Sequence, residues 1–244
     1  MNAALPRLTA RSVVLSAMLG LHPAWATSGE LFKLTAGFGV KDTALRVALS
    51  RMVGAGDLIR SADGYQLSER LLARQRRQDD AMRPAQRIWR GSWLVTVITS
   101  VGTDPRTRAN LRSVLHNNRF AELREGVWMR PDNLDVHLPK DVRARIRLLQ
   151  SYDDAPAELA RKLWDLPAWA QTARRLLDQL ASASDVLEEF VVAAAMVRHL
   201  LTDPVLPDAL LPCAWPGDEL RAVYAEYAAD LGDRRYRVDP VPAI

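Results

Sequence analysis

The chain carries one cysteine, Cys213, in 244 residues. That excludes an internal disulfide framework and a thiolate metal cluster, and it fits a reducing cytoplasm. Its four histidines, His22, His116, His137 and His199, are scattered, and none has another His or Cys at metal-ligand spacing. There is no P-loop, no GxGxxG, no HExxH, no GxSxG and no CxxC. The acidic pairs Asp153-Asp154 and Glu188-Glu189 are adjacent in sequence. Neighbours on a helix do not face each other, so these make poor general acid–base pairs. No apolar run approaches the roughly 20 residues that cross a bilayer; the best, residues 186–197, is interrupted by Glu188 and Glu189. The expectation is a chain with no catalytic residues, no metal and no membrane partner.

What is present is an unequal distribution of charge. Residues 1–90 hold 14 Lys and Arg against 7 Asp and Glu, a net +7, whereas residues 91–244 hold 19 against 22, a net −3. A basic head on a mildly acidic body suits an anionic partner at the head, with nucleic acid first in line. Apolar residues make up 48% and charged residues 25% of the chain, which excludes wholesale disorder.

The head reads as a sequence of helices closed by a hairpin. Residues 9–22 show helical recurrence of Val13, Val14, Ala17, Met18 and Leu21, with Thr9 or Ser12 as cap and His22-Pro23 as stop. Arg7 and Arg11, then SVVLSAMLGL, then Ala24-Trp25-Ala26 imitate a signal peptide. The same residues make the supporting helix that the next segment requires, and the helix is the reading taken. Thr27-x-x-Glu30 fits a capping box for a second helix, with Leu31 and Leu34 buried and Gly37 as its end. A third helix spans about 42–55. At 100° per residue, Ala44, Leu45, Ala48, Leu49 and Met52 fall on one side and Thr43, Arg46, Val47 and Ser50 on the other, with Arg51 and Asp42 at the margins. Asp63-Gly64 between Leu58-Ile59-Arg60 and Tyr65-Gln66-Leu67 signals a hairpin.

Helix, turn, helix and hairpin in that order are the layout of a winged helix-turn-helix, which lays its second helix in the major groove of double-stranded DNA. Arginine pairs bidentately with guanine, Ser and Thr reach bases or phosphates, and valine touches a thymine methyl. The candidate base contacts are Thr43, Arg46, Val47 and Ser50; Arg51 and the hairpin's Arg60 are candidates for phosphate. A fourth helix, residues 68–82, is anchored by Leu71 and Leu72 and carries Arg70, Arg74, Arg76 and Arg77.

Beyond a boundary near residues 83–91, Trp93 to Ile98 is β-branched and apolar, the best strand of the chain. Asp104-Pro105 opens a helix with Leu111 and Leu115 inward. A second hairpin turns at Arg124-Glu125-Gly126, and Val136-His137-Leu138 is read as a further strand; residues 141–151 stay ambiguous. Strand, helix, hairpin and strand point to a small α+β domain of ferredoxin-like type. Helices follow over 157–180, around Leu166-Pro167, and over 185–201. A proline-punctuated loop, a last helix over 218–231 and a loose tail complete the chain. Six of the seven tryptophans lie beyond the head, where core packing is the favoured role and an aromatic pocket the alternative. Cys213 is read as a small packing residue. The expected domains are 1–88, 89–156 and 157–244.

The block ARSVVLSAMLGLHP, the block VKDTALRVALSRMVGAGDLIRSADGYQLSERLLARQRRQ, EGVWMRPDNL, LWDLPAWAQTARRLLDQL and LTDPVLPDALLPCAWPG together resemble the PaaX-type transcriptional repressors of phenylacetic acid catabolism. The resemblance implies a winged-helix head, a ferredoxin-like (Cas2-like) middle domain and a helical C-terminal domain. It also implies a dimeric, cytoplasmic repressor released from operator DNA by an aryl-CoA thioester such as phenylacetyl-CoA. The recognition-helix role carries over onto Ala44-Leu45-Arg46-Val47-Ala48-Leu49-Ser50-Arg51; no motif carries an effector pocket over. The Cas2 likeness raises a metal-dependent nuclease as the alternative, and a non-catalytic protein-interaction module is a third. Cas2-type nucleases have an acidic residue at the end of their first strand. Here that end reads Ile98-Thr99-Ser100-Val101-Gly102, with Asp104 only in the following turn.

Overall fold

The computed structural model describes residues 9–100 and 104–234. Arg7, Val101, Gly102 and the tail beyond Arg234, on which expectations above bear, lie outside them. The head comprises α1 (Ala10–Gly20), β1 (Trp25–Ala26), α2 (Ser28–Ala36), α3 (Asp42–Gly54), β2 (Leu58–Arg60), β3 (Tyr65–Leu67) and α4 (Glu69–Met82). Next come β4 (Trp93–Ile98), α5 (Pro105–Asn117), β5 (Ala121–Arg124), β6 (Val127–Pro131), α6 (Lys140–Arg143) and β7 (Ile146–Ser151). The remainder is α7 (Pro156–Leu163), α8 (Leu166–Ala181), α9 (Val186–Leu200), one 3-10 turn (Asp208–Leu210) and α10 (Gly217–Arg234). The architecture is α+β, with two antiparallel sheets.

Two compact units account for the chain. One draws on Met1–Met82, Ala173–Leu201 and Asp218–Ile244, the other on Arg83–Thr172 and Thr202–Gly217. The chain passes from the second to the first within α8 and crosses again on either side of the proline-rich loop.

In the first unit, local spacing sets the helix starts. The Thr9 side chain accepts from the Ser12 amide while the Ser12 hydroxyl oxygen accepts from the Thr9 amide, and Thr27 and Glu30 repeat this reciprocal cap on α2. The apolar stripe of α1 (Val14, Ala17 and Met18) meets Leu31 and Leu34 of α2, Leu45, Leu49 and Met52 of α3, and Leu71 of α4 in one core. Leu58 and Leu67 face each other across the β2–β3 hairpin and close that core from below. β1 adds a third strand alongside β3, giving the order β1-β3-β2. Gln75 of α4 is buried; its amide donates to the Leu19 and Leu21 carbonyls at 3.0 and 2.8 Å, satisfying carbonyls that the end of α1 leaves without helical partners.

In the second unit, β4 is central, flanked by β6 and β7, with β5 beyond β6. The path is strand, helix, two strands, helix, strand, and every neighbour is antiparallel. β4 alternates as a two-sided strand must. Trp93 and Val95 join Met129, Leu159, Leu166 and Leu206, while Leu94 and Ile98 join Leu111, Leu115, Phe120 and Trp128. The six tryptophans beyond the head fall in this unit: Trp93 stacks on Trp164 at 6.4 Å between centroids, and Trp169 on Trp215 at 4.6 Å.

Three expectations are corrected. Residues 136–138 form no strand; the fourth strand is β7, drawn from the ambiguous segment. The cause is local, because the Asn118 side chain takes both backbone groups of His137, accepting from its amide at 2.9 Å and donating to its carbonyl at 3.2 Å. Those groups are then unavailable to a strand ladder. Cys213 is exposed rather than packed. Ala44 is exposed, since burial along α3 begins only at Leu45 and residues 42–44 all lie open.

A buried polar cluster ties the proline-rich loop to the sheet. Arg130 on β6 is 1% exposed and donates from Nη2 to Asn133 Oδ1 (3.0 Å) and from Nη1 to the Asn118 carbonyl (2.8 Å). Burial, reinforced by nearby Arg119, pushes its pKa down to about 10. Asn133, fully buried, donates to the Val205 carbonyl at 2.9 Å and to Gln86 Oε1 at 3.0 Å. Val205 has φ of 52°, a conformation costly for a β-branched residue. It is held there from both sides, since its amide also donates to Asp203 Oδ1 at 2.8 Å. Asn133→Ala would strand a buried guanidinium donor and the Val205 carbonyl together. The expected loss in urea unfolding is about 2–4 kcal/mol; an unchanged midpoint would show that the cluster contributes nothing.

Candidate nucleic-acid interface

The outer face of α3 is built by what its inner face buries. Leu45, Ala48, Leu49 and Met52 are buried, which turns Thr43, Arg46, Val47, Ser50 and Arg51 outward; all five are exposed, Val47 to 50%. Asp42 in the first turn and Arg51 in the last complement the helix dipole. Just beyond the Ala55 cap of α3 comes Gly56, whose φ of 70° favours glycine, and the Asp57 amide then closes the turn on the Met52 carbonyl at 2.9 Å.

Asp57 fixes the orientation of this face. Its side chain is almost fully buried and receives Arg11 of α1 at 2.7 Å on one oxygen and Arg70 of α4 on the other. One carboxylate therefore joins the first helix, the turn after α3 and the helix following the hairpin. Arg70, counted above with the basic side of α4, is committed to this contact.

Arg46, Ser50 and Arg60 converge. Together with Ser28, Phe32 and Tyr65 they line a solvent-open hollow of about 400 Å³ between α2, α3 and the hairpin. The Arg46 guanidinium lies 5.5 Å from the centre of the Phe32 ring, a cation–π contact that holds the side chain over the hollow. Arg60 ends β2 directly opposite Tyr65. Two cations, two hydroxyls and a phenol facing one hollow form a surface for an anionic, hydrogen-bonding partner. Thr43, Val47 and Arg51 lie on the same helix outside this hollow. Ser28, Phe32 and Tyr65 were not singled out from sequence. Tyr65 sits beside the Asp-Gly turn and Ser28 beside the Thr27 cap, but which way they face depends on how α2 and the hairpin close around α3.

The hairpin's position rests on Gly64. Its turn is closed by the Ser61 amide donating to the Gly64 carbonyl at 2.9 Å and the Gly64 amide donating to Ser61 Oγ at 3.1 Å. A Cβ on Gly64 would stand 2.4 Å from the Ala26 carbonyl oxygen, so the glycine is what lets β1 pass against the hairpin.

Other candidate chemistry is differently engaged. Asp104 caps α5: Oδ1 accepts from the Arg106 and Thr107 amides at 2.9 and 3.1 Å, and Oδ2 accepts from the Thr107 hydroxyl at 2.6 Å. These bonds, the Thr107 hydroxyl first, hold its carboxyl below the usual range. Among the described residues no group of three or more His, Cys, Asp or Glu could hold a metal ion. Among the same residues no helix is long and apolar enough to cross a membrane.

Comparison with known proteins matches residues 9–71 to the family model for PaaX-like protein and residues 162–237 to that for the PaaX-like protein C-terminal domain. The transcriptional repressor PaaX of Escherichia coli (strain K12) is 28% identical over 223 residues, covering 79% of this chain and 70% of that protein. The solved structure of uncharacterized protein Rv0674 from Mycobacterium tuberculosis is 64% identical, with a TM-score of 0.84, covering 93% of this chain and 97% of that one.

Gly64→Ala should force β1 and the hairpin apart, because the clash is with backbone at both ends. A stability loss of about 1–3 kcal/mol by thermal or urea unfolding is expected, larger than for Gly37→Ala, where an added Cβ meets nothing within 4 Å. Equal effects at the two sites would refute the close approach.

Proposed function

The chain belongs to the PaaX-like protein family, and from that premise we propose that it is a cytoplasmic, dimeric transcriptional repressor that reads double-stranded operator DNA through α3. The observation that carries the reading is the convergence of Arg46, Ser50 and Arg60 on the open side of a helix whose other side is sealed into the core. The α1–α3 helices of the head, followed by the β2–β3 hairpin, support a winged helix-turn-helix reading. The β5-β6-β4-β7 order supports a ferredoxin-like, Cas2-like reading of the sheet in the second unit. In the DNA complex, Thr43, Arg46, Val47 and Ser50 face base edges, while Arg51 and Arg60 meet phosphate. A dimer then spans a two-fold site with half-sites about one helical turn, or a multiple, apart. Operator binding is gated by a small effector of the aryl-CoA class, phenylacetyl-CoA being the leading candidate.

Footprinting on DNA upstream of the chain's own gene tests this directly. A protected, two-fold-related site is expected at moderate salt, and no protection by folded protein would sink the proposal. Arg46→Ala should lose about 1–3 kcal/mol of discrimination between operator and scrambled duplex, whereas Arg60→Ala should weaken both equally and reduce the salt dependence. The opposite pattern would exchange the two roles.

A further inference from the structure

α9 and α10 pack within the same unit as α1 and α4, and the four helices leave a cleft with an inner space of about 90 Å³. Its floor is apolar: Leu19 from α1 and Phe190, Ala193 and Val197 from α9, all four buried. Small residues make the space. Gly20 and Ala194 also border it, and a Cβ added at Gly20 would meet nothing within 4 Å.

The polar side of the cleft is cationic and neutral, never anionic. Arg74 and Gln78, one turn apart on α4, and Arg198 of α9 border it, and none of its lining residues is a carboxylate. Both arginines are exposed, and neither has an ion pair among the described residues, unlike Arg70 with Asp57 or Arg221 with Asp218. The Tyr224 hydroxyl adds a donor that stays protonated, its pKa pushed up to about 12 by burial and then by Asp79. Apolar walls with a few convergent polar groups are the composition of a small-molecule site, and here the polar groups select for negative charge.

We infer that this cleft binds a small organic anion, its aromatic or short acyl end on the Phe190–Val197 floor and its charged part at Arg74 and Arg198. The space takes up an end group no larger than a single ring, and the remainder of the ligand stays at the mouth beside the arginines. The regulatory consequence rests on the repressor reading. α1 is a wall of the cleft and also packs on α3. Gln75, next to Arg74, caps α1, and Arg70, one turn earlier, holds the turn after α3 through Asp57. A ligand that shifts α4 or α1 therefore acts on the elements that orient the DNA-reading face.

The test is calorimetric titration of the full chain with phenylacetate, with phenylacetyl-CoA and with free CoA. Binding of one of the first two, with free CoA weaker, is expected; the tighter of the pair identifies whether acid or thioester is the source of the anion. Arg74→Ala with Arg198→Ala should weaken that binding about tenfold or more, with an unchanged melting temperature for the free protein because both side chains are exposed. Ala194→Leu, which fills the cleft from the apolar side, should weaken it independently. No binding by either anion, or binding that all these variants retain, overturns the inference. Operator binding is measured by footprinting on the same preparations. DNA protection without anion binding removes the cleft alone, and anion binding lost in the variants without any DNA protection removes the repressor reading alone.

Discussion

The buried carboxylate of Asp57 is the contact on which the outward face of α3 depends. A carboxylate taken out of water has to be matched, and it is matched by two arginines from opposite ends of the head, Arg11 on α1 and Arg70 on α4. Both arginines keep part of their surface in water, so the pair stabilises mainly by position. It sets where α3 ends, where β2 begins and where α4 departs. The hollow shared by Arg46, Ser50 and Arg60 exists because α2, α3 and the hairpin are held at that fixed spacing.

The second unit uses the same physics without a carboxylate partner. Arg130 is buried among carbonyl and amide oxygens. Asn133 passes the network on to Val205, 72 residues later in the chain. These residues come from RPDN and DPVLP, two of the blocks that carry the family resemblance. Their meeting explains why such polar, proline-broken stretches have a defined structure: each supplies the hydrogen bonds that the other's buried backbone and cation require.

Arginine takes two contrasting roles among these residues. Arg11, Arg70 and Arg130 serve the fold through buried acceptors. Arg46 and Arg60 at the hollow, and Arg74 and Arg198 at the cleft, present their charge to solvent where small or apolar neighbours leave room. The 14 cations of the basic head thus overcount what a partner can meet, because Arg11 and Arg70 are engaged by Asp57, a charge that the net +7 already subtracts.

Sequence alone determined what local chemistry dictates. The reciprocal caps at Thr9 and Thr27, the stripe on α3 from Leu45 to Met52, the Asp-Gly hairpin and the alternation of β4 all follow from spacing within a dozen residues. So did the outward direction of Thr43, Arg46, Val47, Ser50 and Arg51. Only the tertiary structure decided which of these meet, since Arg46 and Arg60 are neighbours solely because the hairpin folds back beside α3. It also decided the fates of individual residues: Ala44 open, Cys213 exposed, the backbone of His137 held by Asn118, Arg70 drawn to Asp57. The two-residue strand β1 and the cleft under α9 and α10 left no periodic trace. They arise from contacts between segments far apart in the chain, and nothing in the local composition of either segment specifies its partner.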